Sequence, residues 1–258
     1  MRAGVNRTLA VAANAFRETV RERVLYNLVF FAILMTLAGL LLGQLSVRQD
    51  EKILKDIGLA AMDLFGTLIA VFIGTGLVSK EIERRSLYPL LAKPLSRGEF
   101  FIGKFAGLAF TLFVNLSVML LALMLTLVLT QRRPDLGLLG AVYPIFLGLL
   151  LTVGFAMLFS SVTSSTLAAV LTVGVVIVGR YADVIRGMRE VAPTIPPALV
   201  NALFTILPNY ANFDFKSQVA YGDPVPAGLL GWSTLYAVGW LGVVLGLGLA
   251  SFRSRDFQ

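Results

Sequence analysis

The sequence predicts an all-α polytopic membrane protein, on three observations. With 57% hydrophobic and 14% charged residues and a mean hydropathy of +0.82, the chain lies far from the balance of a soluble domain. Its apolar residues gather into runs near the ~20 residues a helix needs to cross a bilayer. Its basic residues gather beside the ends of alternate runs.

The apolar runs fall at Leu25–Leu45, Ile57–Val78, Phe100–Leu129, Leu136–Phe159, Thr166–Gly179 and Ala227–Phe252, which predicts six spans in a single domain over 1–258. The fifth run is short. Ahead of the first, Val5, Leu9, Ala13, Phe16, Val20 and Val24 recur at helical spacing with Arg7, Arg17 and Arg21 on other faces. This predicts an amphipathic helix over 1–23 lying in the membrane interface. No cleavable signal peptide is expected, because the first apolar run is too long for an h-region.

The segment SKEIERRSLYPLLAKPLSRGEFFIGK (79–104) between runs two and three is longer than a connection requires and reads as helix, break, helix. Leu87, Tyr88 and Leu91 are at helical spacing, Pro89 and Lys93-Pro94 break the run, and Ser96 stands three residues before Glu99, a capping box that starts the next helix. Leu95 and Phe100 are placed as its hydrophobic staple. A loop with both charge signs and a Leu/Tyr face suits docking of a soluble protein.

Between runs one and two, 47–56 reads as a charge-balanced loop, and 131–135 as a tight turn with Pro134. The segment 182–226 is the long polar excursion on the same side. It reads as short helices, including Ala198–Leu207 and Phe213–Tyr221, broken by Pro193, Pro196, Pro197 and Pro208 and closed by Gly222-Asp223-Pro224. A helix of about ten residues cannot span, so a re-entrant outer gate is expected, with a membrane-surface cap as the alternative.

Basic residues fix the orientation. Arg2, Arg7, Arg17, Arg21 and Arg23, then Lys80, Arg84, Arg85, Lys93, Arg97 and Lys104, then Arg253 and Arg255 lie on one face of a six-span chain, 13 of its 22 basic residues. Both termini are therefore expected in the cytoplasm. The net charge of +7 reads as positive-inside bias toward anionic lipid headgroups, with no nucleic-acid partner. The absence of Cys and His removes disulfides, His- or Cys-ligated metal sites and Ser-His or Cys-His nucleophiles. No cofactor or metal is expected. Gly98 to Lys104 fits G-x-x-x-x-G-K, but Phe105 stands where a P-loop needs Ser or Thr, and no strand precedes it.

Asp63 is the one acid inside an apolar run. Either it lines a pathway or couples an ion, or it sits near the outer interface and is satisfied by a neighbour such as Thr67, the commoner arrangement. Gly39/Gly43, Gly103/Gly107 and Gly242/Gly246 have the small-xxx-small spacing of close helix contacts, and Trp232 is placed for an aromatic belt.

SKEIERRSLYPLLAKPLSRGEFFIGKF, together with DIGLAAMDLFGTLIAVFIGTGLVSKE, LPNYANFDFKSQVAYG and FRSRDF, resembles the ABC-2 type transporter permeases, in particular the branch with gliding-motility and nitrous-oxide-reductase maturation permeases. The resemblance implies a non-catalytic permease subunit of an ATP-binding cassette exporter in a bacterial inner membrane. ATP hydrolysis would sit on a separate ATP-binding subunit, and a second permease copy, identical or not, would complete the path. It also leaves room for a periplasmic partner. By the same resemblance, 79–99 is the coupling loop, with Glu81, Glu83, Arg84, Arg85, Tyr88 and Lys93 as coupling residues. Asp63, Leu203 and Phe213 are the candidate pathway or gate residues. The alternative is a membrane scaffold that recruits a soluble protein through 79–99 and moves no cargo.

Overall fold

The computed structural model describes residues 2–21, 30, 31, 33, 34, 37, 50–83, 96–131, 134–184 and 207–254. They form α1 (Arg2–Arg21), α2 (Asp50–Glu83), α3 (Arg97–Gln131), α4 (Leu139–Val162), α5 (Ser165–Arg180), α6 (Lys216–Ala220) and α7 (Ala227–Ser254), with 3-10 turns at Leu136–Leu138 and Tyr210–Phe213. Four stretches are long and apolar enough to cross a membrane: Glu51–Gly76, Gly98–Leu129, Leu136–Val162 and Ala227–Phe252. These correspond to the second, third, fourth and sixth expected spans. The first expected span lies almost wholly outside the described residues.

The fifth, α5, has 16 residues, about 24 Å at 1.5 Å per residue. That is shorter than the ~30 Å hydrocarbon core, so its last residue, Arg180, can end among the other helices. α2, by contrast, has 34 residues, about 51 Å, and continues past its apolar stretch into Lys80, Glu81 and Glu83.

α4 is the centre of the bundle. It packs against α2, α3, α5 and α7, and 72% of its apolar window is buried against 22% for α7. Leu149, Val153 and Met157 join one core with α2 and α3, while Leu151 and Phe155 join a second with α5, α7 and the Tyr210 turn. Close approach to α2 is set by Gly66, where a Cβ would lie 2.6 Å from Leu149, and by Gly74, where it would lie 2.5 Å from Ala156. Ser160 Oγ closes the same seam by donating to the Thr75 carbonyl oxygen at 3.1 Å.

α3 begins as its capping box requires. The Glu99 backbone N–H donates to Ser96 Oγ at 3.2 Å and the Ser96 N–H donates to Glu99 Oε2 at 3.0 Å, satisfying two donors that a helix start leaves free. The staple's Leu95 lies outside the described residues. Lys104, at the end of the P-loop look-alike, is in mid-turn of α3, 3.6 Å from Glu18 of α1.

One local expectation is corrected. Residues 50–56 are helical, not a loop: Glu51 pairs with Lys55 one turn on at 2.5 Å, the spacing at which an ion pair supports a helix. On α1 the face packed on α3 comprises Thr8, Val11, Ala12, Ala15 and Thr19, with Phe16 against Phe110 at 4.9 Å, while Leu9 of the expected apolar face is 61% exposed. Small residues win that face because Gly103 and Gly107 of α3 bring the backbones together, with Cβ positions 2.9 Å from the Thr8 oxygen and 2.5 Å from the Ala12 oxygen. Gly242 and Gly246, equally spaced, meet nothing within 4 Å among the described residues.

Candidate functional site

The polar centre of the bundle is built on Asp63. Its carboxylate is buried, faces α5 and α6, and accepts from two cations. Arg180 binds it with both arms, Nη1 to Oδ2 at 2.5 Å and Nη2 to Oδ1 at 2.6 Å, the planar fork that suits a carboxylate. Lys216 Nζ reaches Oδ2 at 2.5 Å. Arg180 Nη2 also donates to Thr67 Oγ1 at 2.9 Å, and that hydroxyl donates to the Asp63 carbonyl oxygen at 2.7 Å. Thr67 is therefore beside Asp63, as expected, but it binds the backbone and the arginine; the carboxylate is held by cations.

A charge cannot be taken from water into an apolar bundle alone. The chain satisfies Asp63 by ending the short α5 at its depth and by folding 207–216 back against the bundle. Gly179 makes room for that return: a Cβ there would lie 2.5 Å from the Pro208 oxygen and 2.6 Å from the Tyr210 ring. Tyr210 OH hydrogen-bonds Thr152 of α4 at 3.2 Å. The Asn209 N–H donates to Tyr236 OH at 2.7 Å and Ser233 Oγ donates to the Asn212 carbonyl oxygen at 2.7 Å, both on α7. Burial pushes the pKa of the Tyr210 hydroxyl up, so it stays a neutral donor and acceptor. Lys216 opens α6, and Gly222 at φ +86 turns the chain away from it, a conformation in which glycine carries no Cβ penalty.

Beside the cluster lies a cavity of about 200 Å³ with Asp63, Thr152, Arg180, Tyr210 and Lys216 in its polar wall and Ile145 and Phe213 among its apolar residues. Phe213, expected with Asp63 on sequence grounds, is thus brought to the same cavity. Leu203 lies outside the described residues, as do Arg84, Arg85, Tyr88 and Lys93; Glu81 and Glu83 close α2, with side chains beyond what is described. Arg180, Lys216, Thr152 and Tyr210 were not anticipated. One signal could have pointed to the first two: an acid inside an apolar run implies a cation at its depth. Among the described residues no group of three or more acids could hold a metal ion.

The fold and site define a polytopic helical membrane protein whose described helices enclose a charge-lined cavity. Residues 9–257 match the family described as ABC-2 family transporter protein, and the chain belongs to that family. No curated protein matches it.

Proposed function

We propose that the chain is the permease subunit of an ATP-binding cassette exporter in a bacterial inner membrane, coupled to a separate ATP-binding subunit and working beside a second permease copy. The observation that carries this reading is the family match over nearly the whole length. α2 supports it: a helix running beyond its apolar window into KEIE carries charged residues past the membrane, into the loop 79–99 that the resemblance assigns to the partner. On this reading both termini and that loop are cytoplasmic, and the Asp63 cavity with 207–226 faces outward. Asp63, Phe213 and Leu203 then belong to the exit side of the path.

α1 and α3 would carry the motion. With backbones in contact at Gly103 and Gly107, they move as one body, and α3 begins directly after the coupling loop through its capping box.

The experiment is co-purification with the ATP-binding subunit, with ATPase activity as second readout. Glu83→Lys, Arg84→Glu and Tyr88→Ala should each release the partner while the chain stays inserted, since truncating one side of a desolvated interfacial pair costs about 2–5 kcal/mol. Retention and unchanged ATPase activity in all three variants would remove 79–99 as the coupling loop. Partner release without any cargo-stimulated ATPase in the wild type would favour the scaffold.

A further inference from the structure

The cavity beside Asp63 holds more positive charge than its buried acid neutralises. Arg180 and Lys216 converge on one carboxylate with a side chain 9% exposed. The other nearby acid, Asp214, lies 3.3 Å from Lys216 Nζ, but its side chain is 53% exposed, so water screens most of its charge. Donors are also left over. A guanidinium has five N–H groups and an ammonium three; among the described residues Arg180 directs three hydrogen bonds to Asp63 and Thr67, and Lys216 has only Asp63 and Asp214.

Both cations reach one oxygen, Asp63 Oδ2, so an added anion would share a load that now falls mainly on this carboxylate, with Asp214 taking part of Lys216. The cavity has room: about 200 Å³ compares with the ~30 Å³ share of one water.

We propose that this cavity binds a phosphate-type oxyanion through the donors of Arg180 and Lys216 that Asp63 leaves free. A phosphate carries up to two charges and three acceptor oxygens, which matches two cations offering spare donors from two elements. That the anion is part of the exported molecule rests on the permease reading; that it binds does not. The consequence for the fold is a weaker tie between α2 and the 207–226 segment whenever the site is filled, because Lys216 then divides its charge between the ligand and Asp63.

The test uses the purified full chain in neutral maltoside micelles without any ATP-binding subunit. Inorganic phosphate is titrated at fixed ionic strength, with chloride as the exchanged ion, and Tm is followed. A ligand that binds only the folded chain raises Tm by an amount that grows with the logarithm of its concentration above Kd. The wild type should show that rise, Lys216→Gln should lose it, and Asp63→Asn, which removes the competing carboxylate, should bind phosphate about tenfold more tightly, equivalent to about 1.4 kcal/mol.

A second arm replaces free phosphate by phosphatidylglycerol in mixed micelles. A Lys216-dependent shift in that arm alone makes the oxyanion a lipid headgroup, and a shift with free phosphate makes it a soluble group; both support the site. Should Asp63→Asn fail to fold, Lys216→Gln decides, because it leaves the Arg180 fork on Asp63 intact. Absence of a shift in both arms, equal shifts in wild type and Lys216→Gln, or a folded Asp63→Asn that binds no more tightly overturns the proposal. Retention of the ATP-binding partner and unchanged ATPase activity in all three 79–99 variants, with phosphate binding intact, would instead count against the permease reading and leave this site standing.

Discussion

The contact between α1 and α3 and the contact between α2, α5 and α6 are built from opposite materials. At the first, glycines let two backbones touch: Gly107 leaves no space for even a methyl group against Ala12 and Ala15. At the second, side chains of full length meet through charge, with Asp63 holding Arg180 and Lys216. Backbone packing of the first kind has one good geometry and resists sliding. Ion pairs of the second kind have alternatives, since each cation can accept another anion. One contact is suited to passing a movement on, and the other to being exchanged.

Removing the hub of the charged contact should have the largest effect. Asp63→Ala leaves Arg180 and Lys216 facing an apolar bundle without their carboxylate, and an uncompensated charge of this kind costs about 3–5 kcal/mol. The expected result is a large fall in Tm of the purified chain, with the 207–226 segment more open to protease. A loss below about 1 kcal/mol would mean that both cations already reach water, and the contrast between the two contacts would collapse.

Filling the glycine contact comes next. Gly107→Ala places a Cβ 2.5 Å from the Ala12 oxygen and 2.7 Å from the Ala15 Cβ, and overpacking of this sort costs about 1–3 kcal/mol. Hydrogen exchange of the α1 amides should rise, because α1 must lift away. Gly242→Ala supplies the control: the same methyl meets nothing within 4 Å, so stability should hold. Equal effects of the two substitutions would show that the α1 contact is not set by its glycines.

Local patterns were legible in the sequence and distant ones were not. The Ser96–Glu99 capping box could be read because its partners are three residues apart and each has one obvious role. Four of the spans could be read because bilayer thickness fixes their length, and the family resemblance because the 79–104 segment and its neighbours are distinctive as strings. Gly103 and Gly107 announced a close contact but not its partner; the face that answers them on α1 is made of small residues such as Ala12 and Ala15, which hydrophobic spacing does not single out. Asp63 stood out as a cost that something must offset. Its partners lie 117 and 153 residues away, and no periodicity connects an aspartate in one helix to the last residue of another and the first of a third.

The smallest expected effect comes from a cluster that inverts the Asp63 arrangement: one cation, Lys55, between two acids, Glu51 at 2.5 Å and Asp135 at 2.6 Å. The chemistry is the same and the setting differs, since the two acid side chains are 53% and 30% exposed. The hydrogen bond from Lys55, aided by the Gly137 N–H at 2.8 Å, holds the Asp135 carboxyl below the usual carboxylate range. A carboxylate whose folded-state pKa is depressed contributes stability that is complete above its unfolded pKa and is lost as the pH falls through the lower folded value. The wild type should therefore lose this contribution only on acidification past the ordinary carboxylate range. Lys55→Met should flatten that limb of the Tm-against-pH curve and lower stability at neutral pH by less than about 1 kcal/mol, as screened pairs do. A loss at neutral pH as large as that of Asp63→Ala would mean that burial does not separate the two clusters, and that position in the bundle, not exposure to water, decides what an ion pair contributes here.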